Sequence, residues 1–255
     1  MSLTSLALRF ALPKTRLESY ERYLFIGPHP DDIEIGAGAT AARLAAEGKR
    51  ICFLICIDGR FGDGATSLRG DELSEERRRE ALRSAKMLGV EDVRFMGLRD
   101  GAGYDNDELL RGIARTVGDF KPDVIFAPDP DVDSECHADH LNVGRCARQI
   151  ACFAPYEGIM AGLEAESAPV KALAYYMTAR PNCYVSSAGY MKLQLEALFG
   201  CHKTQFPEGS AEARAIALYL KIRAADFGLR SLKGKAEGFR TLTAVQMHCM
   251  PEAGR

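Results

Sequence analysis

Two short polar clusters in this chain combine residue types that bind metal ions and transfer protons. The first reads HPDD at 29–32 and the second reads CHADH at 136–140, so the two clusters contain three of the five histidines. Imidazole and carboxylate groups are good Zn²⁺ ligands, and catalytic zinc is usually held by three protein ligands with one position open. Two histidines and one carboxylate would complete such a set. The remaining acid and histidine would then be available for proton transfer.

Each cluster also has a simpler structural interpretation. An aspartate at a helix start commonly caps the helix, so Asp31 or Asp32 need do no more than that. Capping uses a single aspartate, however, and explains neither His29 nor the second acid. His137 and His140 are three residues apart and share a helix face, so they could equally be two surface histidines at a helix start.

Both clusters directly follow a short apolar run that predicts a β-strand. Tyr23 to Ile26 precedes the first cluster, and Val124 to Ala127 precedes the second. In open α/β sheets, ligands bind beyond the carboxyl ends of the strands. If the two runs belong to one parallel sheet, the clusters lie at the same edge and can meet there.

The rest of the first 150 residues alternates between strand and helix patterns. Further strands are predicted at 51–57 and 93–96, and helices at about 37–47, from Ser74 to a stop at Gly89, at 107–120 and at 139–152. Such alternation predicts an α/β fold with a Rossmann-like, mostly parallel sheet that is flanked by helices on both faces.

The order of elements is less regular after residue 155, where the pattern predicts strands at 172–177 and 183–185 and helices at 187–199 and 210–227. No low-complexity linker divides the chain. We therefore predict a single domain over 1–255, with a core at about 22–150 and a C-terminal α/β elaboration at about 155–255 that shapes the substrate pocket.

Composition narrows the functional class. The chain has 255 residues, 47% of them hydrophobic, and a formal net charge of −2, so it can bury a core and has no global basic field for nucleic acid or anionic membranes. No apolar run is long enough to cross a bilayer, and Arg9 and Lys14 interrupt the apolar start, so we predict neither a membrane span nor a signal peptide.

The eight cysteines show no C-x-x-C pair, which is typical of reduced thiols in a cytoplasmic protein. Cys136 has no partner at ligand spacing, so we leave it out of the predicted metal site.

The sequence resembles the zinc-dependent N-acetylglucosaminyl de-N-acetylases, the LmbE-like or PIG-L-like superfamily, whose motifs occur in the same order along the chain. The resemblance depends on PHPDDIEIGAGAT at 28–40, DG at 58–59, R-x-x-E-A at 77–81, LRDG at 98–101 and H-x-D-H at 137–140. It covers roughly residues 22 to 150. Weaker similarity to the family is present in HKTQF at 202–206 and AEGF at 236–239. Two positions depart from the usual family pattern. Pro28 stands where the family has the alanine of AHPDD, and HADH at 137–140 replaces the usual HPDH. Neither change removes a ligand.

The resemblance implies a role for each cluster residue. His29, Asp32 and His140 correspond to the metal ligands, and Asp31 to the general base that deprotonates the zinc-bound water. His137 corresponds to the side chain that stabilises or protonates the tetrahedral intermediate. The implied reaction removes the N-acetyl group from an N-acetylglucosamine-type sugar conjugate.

Some details stay open within that family assignment. Asp139 could orient the imidazole of a metal-binding histidine by contacting its ring without binding the metal itself. A His₂Asp donor set accepts Fe²⁺ as well as Zn²⁺, so the metal used in the cell is open.

Substrate contacts are less well defined by the sequence. Loop positions at this sheet edge make candidates of Arg60, Arg69 and Asp100. Arg77, in the first turns of the predicted helix, and Lys203, in the HKTQF segment that resembles the family, are further candidates. The simpler interpretation treats the arginines as solvated charges and Asp100 as part of an Asp-Gly turn. The expected partner is a small sugar conjugate. A homo-oligomer is compatible with the apolar stripe at 216–229, which is either core or a subunit contact.

Two competing functions remain. A metal-dependent phosphoesterase would keep the metal but usually holds two ions, whereas one ligand set is evident in the sequence. A nucleotide-binding module would use the same sheet edge but lacks the glycine fingerprint.

Overall fold

The computed structural model describes residues 15–249, without the side chain of Cys249. The predicted absence of a signal peptide concerns residues 1–14 and lies outside this range. Within 15–249 no helix is both long enough and apolar enough to cross a bilayer.

Seven strands and eight α-helices make up the described part of the chain, after a 3₁₀ turn at Leu17–Ser19. The strands are β1 Arg22–Gly27, β2 Arg50–Ile57, β3 Asp92–Leu98, β4 Val124–Pro128, β5 Ala172–Tyr176, β6 Cys183–Ser186 and β7 Ala236–Thr243. The helices are α1 Asp32–Ala46, α2 Gly70–Met87, α3 Asn106–Phe120, α4 Ala138–Phe153, α5 Glu157–Gly162, α6 Met191–Cys201, α7 Ala211–Ser231 and α8 Ala244–Cys249.

The strands form one mixed sheet in the order β3-β2-β1-β4-β5-β7-β6. Strands β1 to β5 pair in parallel, and β7 runs antiparallel to both β5 and β6. The predicted α/β fold with a mostly parallel sheet is confirmed. From β1 the chain builds outward to β3 and then returns to place β4 on the other side of β1. Strands β1 and β4 therefore flank the reversal point, where open α/β sheets form a crevice.

The central strands are buried on both faces, which explains their nearly continuous apolar sequences. In β1, Leu24 and Ile26 face one layer of the core, and Tyr23 and Phe25 face the other. On the second side, the rings of Phe25 and Phe126 stack at 4.3 Å between centroids, which fixes β1 against β4.

Two helices begin earlier than predicted. Helix α1 was expected at about 37–47 but begins at Asp32. The prediction missed this start because the first turn buries the acidic side chains of Asp32 and Glu34 together with Ile33, which gives no clear apolar period. Helix α2 begins at Gly70 rather than Ser74, with Asp71 and Glu72 in its first turn. Acidic residues there are stabilised by the positive end of the helix dipole.

The C-terminal part departs most from the prediction. Helix α6 begins at Met191 instead of 187, and α5, α8 and β7 were not predicted. Strand β7 is buried but contains Glu237, Arg240 and Thr241, all with hydrogen-bond partners. Paired polar side chains can occupy a core position, but they hide the strand from a search for apolar runs.

Candidate active site

The turn that contains HPDD after β1 is fixed by one hydrogen bond within it and by another to strand β2. The backbone N–H of His29 donates to the Asp32 carboxylate at 2.8 Å, and Ile57 N–H donates to the Pro28 carbonyl at 2.8 Å. Asp31 has φ 117°, in the left-handed region that non-glycine residues rarely adopt, and its side chain makes no capping hydrogen bond. Simple helix capping therefore does not account for Asp31, and such strained positions are concentrated at functional sites.

Three donor atoms converge where the two clusters meet. Asp32 Oδ2 lies 3.3 Å from His29 Nδ1 and 3.4 Å from His140 Nε2. In a tetrahedral zinc site with bonds of about 2.0–2.2 Å, neighbouring ligand atoms are roughly 3.3–3.6 Å apart. These three residues form a group that could hold a metal ion, and their spacing fits zinc.

The other nitrogen of His29 is held by two carboxylates. His29 Nε2 lies 3.2 Å from both Asp100 Oδ1 and Asp139 Oδ2. Asp139 is fully buried and also accepts the backbone N–H groups of Gly101 and Ala102 at 3.0 and 2.8 Å. The imidazole that Asp139 contacts is thus His29, since His137 Nδ1 is more distant at 3.8 Å.

His137 and His140 are placed differently. His140 is mostly buried, whereas the side chain of His137 is 47% exposed and is the one that a substrate could reach. His137 Nδ1 accepts the backbone N–H of Asp139 at 3.3 Å. A neutral His137 in that arrangement has its proton on Nε2 and can donate it to a ligand.

Glu135 is a site residue that the sequence analysis missed. Its Oε2 lies 3.0 Å from His140 Nδ1, and its Oε1 accepts the backbone N–H of His137 at 2.8 Å. Metal-ligating histidines usually donate their second ring nitrogen to a carboxylate. The acidic loop before the second cluster was visible in the sequence and could have suggested this partner.

Charges within the cluster set its protonation. Burial alone lowers the pKa of His29, but hydrogen bonds with three carboxylates outweigh it and hold that pKa well above its usual value. Burial likewise opposes the charge of His140, yet Asp32 raises the pKa of His140 to about 9. Burial would raise the pKa of Asp32, but the two histidines keep it well below its usual value. Without metal, the two histidines therefore carry protons at neutral pH.

The pKa of Asp31 is shifted in the opposite direction from that of Asp32. Burial raises the pKa of Asp31 to about 6, against the lowering effect of Arg77. Arg77 is itself buried on α2 and donates to the Pro30 carbonyl at 2.8 Å, to Asp31 Oδ2 at 3.2 Å and to the Gly59 carbonyl at 3.1 Å. A carboxylate with a pKa just below neutrality has the properties of a general base.

The five predicted substrate contacts fall into two groups. Arg77 and Asp100 lie in the site, and Arg60 lies one contact away through Asp58, which also accepts the Asp100 backbone N–H. Arg69 instead pairs with Asp63 and Lys203 with Glu208, all exposed. The structure does not bring Arg69 or Lys203 to the site, because each points from its loop into solvent.

In the HKTQF segment, Lys203 does not reach the site, but three neighbouring residues link the elements around it. We call His202, Thr204 and Gln205 the 202–205 brace. His202 Nε2 lies 3.2 Å from Glu34 on α1, and Thr204 donates its backbone N–H at 2.9 Å and its hydroxyl at 2.5 Å to Glu80 on α2. Gln205 donates to the Gly62 carbonyl at 2.5 Å. The brace thus joins the helix that bears Asp32, the helix that bears Arg77 and the loop after β2.

The chain is similar in sequence and in overall fold to known deacetylases. The family model described as GlcNAc-PI de-N-acetylase (PIG-L) matches residues 24–151. A diacetylchitobiose deacetylase from Thermococcus kodakarensis is 31% identical over 243 residues, covering 91% of this chain and 87% of that protein. The solved structure of N,N'-diacetylchitobiose deacetylase from Pyrococcus horikoshii has a TM-score of 0.86 and 27% identity, covering 98% of this chain and 97% of that one.

A second kind of relative matches over a shorter region. A 1D-myo-inositol 2-acetamido-2-deoxy-alpha-D-glucopyranoside deacetylase from Kineococcus radiotolerans is 36% identical over 123 residues. That match covers 46% of this chain and 34% of that protein. The likeness to the diacetylchitobiose enzymes, in contrast, continues through the part of the chain after residue 155.

Proposed function

Because this chain belongs to the GlcNAc-PI de-N-acetylase (PIG-L) family, we propose that it is a zinc-dependent hydrolase that removes the N-acetyl group from a short N-acetylglucosamine saccharide such as diacetylchitobiose. The observation that carries the proposal is the convergence of His29, Asp32 and His140 at zinc-ligand spacing beside the buried carboxylate of Asp31. The choice of saccharide is supported by the relative whose match extends over nearly the whole chain.

The chain's own residues divide the work. His29, Asp32 and His140 would hold the metal, which would supply a bound water with a pKa of about 7 and polarise the amide carbonyl. Asp31 is the base that takes the proton of the attacking water. His137 donates a hydrogen bond from Nε2 to the developing oxyanion, and its half-exposed position lets it reach substrate. The proton that Asp31 takes from the water is then the one that protonates the departing amine.

Arg77 and Asp139 position two of these groups, Asp31 and His29. Arg77 holds the strained turn at Asp31 and limits how far burial raises the pKa of that carboxylate. Asp139 fixes the ring of His29. Asp100 supports the same ring, because one of its carboxylate oxygens contacts His29 Nε2 and the other accepts the backbone N–H of Phe61.

The competing functions are not favoured. A second group of donors exists at His29, Asp100, His137 and Asp139, but it shares His29 with the first group. The carboxylates of Asp100 and Asp139 already accept backbone N–H bonds, so they are better explained as supports for the histidine than as a second metal site of a phosphoesterase. The relatives, moreover, are named as deacetylases.

Two broader expectations belong to this proposal. We propose that residues 1–255 function as one domain, which is supported by the entry of β5, β6 and β7 into the same sheet as the core strands. We also propose a cytoplasmic location. Cys52 and Cys56 support it, since both are free thiols that pack as core side chains of β2, and free thiols are typical of proteins in reducing compartments.

The decisive experiment measures acetate release from N,N'-diacetylchitobiose by protein reconstituted with zinc, in parallel with iron. We expect acetate and about one metal per chain, with both lost in Asp32→Asn. Lys203→Ala serves as the control because Lys203 is exposed and away from the site. Release of phosphate from a phosphoester, with no acetate from any N-acetylglucosamine compound, would refute the proposal.

A further inference from the structure

Helix α7 has apolar side chains on two opposite faces. One face is buried through Leu220, Ala224 and Phe227. Leu220 packs against Leu198 and Phe206, and Phe227 packs against Tyr184 of β6. On the other face, Leu218, Ile222 and Leu229 are 59%, 60% and 76% exposed. A helix that is apolar on both sides normally has a partner on both sides.

The exposed face has a regular period. Its members, which we call the α7 stripe, are Ala211, Ala215, Leu218, Ile222, Ala225 and Leu229, and the 92% exposed Leu232 follows as the C-cap residue. The spacing alternates between four and three residues throughout, which is the heptad pattern of a helix that packs along another helix. This repeat is not a feature that packing on the sheet requires.

The position of the stripe leaves it accessible. At about 100° per residue, the helical members of the stripe from Leu218 onward lie within a sector of roughly 60°, centred opposite the residues buried against the sheet. A second helix can therefore approach along the full length of α7 without meeting the sheet or the active-site loops.

The charges beside the stripe identify the partner. Lys221 lies on one side of it. Asp226 lies on the other side, five residues later, and its carboxylate also pairs with Arg230 of its own helix at 2.8 Å. In a parallel pair of identical heptad helices these two flanking positions face each other across the seam, so each Lys221 meets the Asp226 of the other copy. An antiparallel two-fold pair centred on Ile222 would instead bring the two Lys221 side chains together.

We propose that the α7 stripe is the surface through which this protein self-associates, by parallel packing of α7 against α7 of a second copy. The stripe is self-complementary in shape and charge, as an interface between identical chains requires. A lipid surface fits less well, because Glu212 and Asp226 flank the stripe along with the basic residues, whereas membrane-bound helices have Lys- and Arg-rich polar faces.

The test is the mass of the purified protein by sedimentation velocity over a concentration series. We expect the wild type to have a multiple of the single-chain mass. Ile222→Glu should weaken association by at least roughly tenfold in dissociation constant, because it places two carboxylates on the seam. Val245→Glu is the matched control, since Val245 is a 56% exposed apolar residue on α8 outside the stripe, and it should leave the mass unchanged.

A charge exchange tests the parallel arrangement. Lys221→Glu and Asp226→Lys should each weaken association, and the double variant should restore it. Residues five apart do not face each other on one helix, so restoration requires contact between two copies. Circular dichroism and thermal unfolding establish that each variant is folded.

Three outcomes would overturn the proposal: a wild type that is monomeric at every concentration, an Ile222→Glu variant that keeps the wild-type mass, or a double variant no tighter than the single ones. Because mass is measured independently of acetate release, failure here is distinct from failure of the proposed catalytic function.

Discussion

The guanidinium group of Arg77 lies 3.2 Å from the carboxylate of Asp31 and also donates to the carbonyl of the preceding residue, so one side chain holds both the charge and the strained backbone of the proposed base. The two residues are 46 positions apart in the sequence. Their contact joins the N-cap residue of α1 to the second turn of α2.

Arg77→Met should lower kcat/KM by about 10²-fold, because a poorly positioned base loses part of its contribution to the rate. Loss of the positive charge lets burial raise the pKa of Asp31 further, so the acid limb of the pH–rate profile should move to higher pH. Arg77→Lys keeps the charge and should restore part of the shift. Arg79→Met, on the exposed side of the same helix, is the control. An unmoved acid limb in Arg77→Met would contradict this role.

Asp31→Asn should keep the bound metal and lose about 10²–10⁴ in turnover, the usual contribution of a general base. In the wild type, activity should decline as pH falls through about 6, or somewhat lower once the metal adds its positive charge, because the base becomes protonated. Asp63→Asn, an exposed acid on the loop after β2, should behave like the wild type.

The same substitution should increase stability at pH 8. The pKa of Asp31 in the folded protein is raised from 3.8 to about 6, so its stabilising contribution is fully present below pH 3.8 and is lost as pH rises through 6. Metal-free Asp31→Asn should therefore unfold at a higher temperature than metal-free wild type at pH 8, and the difference should vanish near pH 4. A lower unfolding temperature at pH 8 would show that the ionised carboxylate is not destabilising.

Zinc binding should release about two protons per ion at pH 7, because metal must displace the protons held by His29 and His140. The pKa values of both imidazoles are raised in the metal-free site, to about 9 for His140, so apparent zinc affinity should rise as pH increases from 6 to 9. Calorimetry in buffers with different ionisation enthalpies counts the protons. A count near zero would mean that the free site is already deprotonated.

Glu135→Gln should weaken zinc binding by about 10- to 100-fold, the usual effect of losing a carboxylate behind a metal-bound histidine. The carboxylate now lies 3.0 Å from His140 Nδ1. Chelator competition measures the affinity. Asp133→Asn, in the same acidic loop, supplies the comparison, and an equal effect of both substitutions would indicate a general charge effect of the loop.

Much of the architecture could be predicted from the sequence because it depends on local pattern. The strands β1, β2 and β4 and the helices α3 and α4 were found within one or two residues, since apolar runs and helix periods are local properties. Strand β7 was not found, because Glu237 and Arg240 are buried only by virtue of their long-range partners.

The residue types of the candidate site were likewise evident in the two clusters, and so was the sheet edge to which they belong. Which partner each side chain has was decided only by the tertiary structure. Asp139 supports His29 rather than its neighbour in sequence, Glu135 reaches His140, and the exposed Arg69 stays outside the site. The physical reason is that β1 and β4 lie side by side at the reversal of strand order, and that adjacency arises from packing of the whole sheet, which no local spacing specifies.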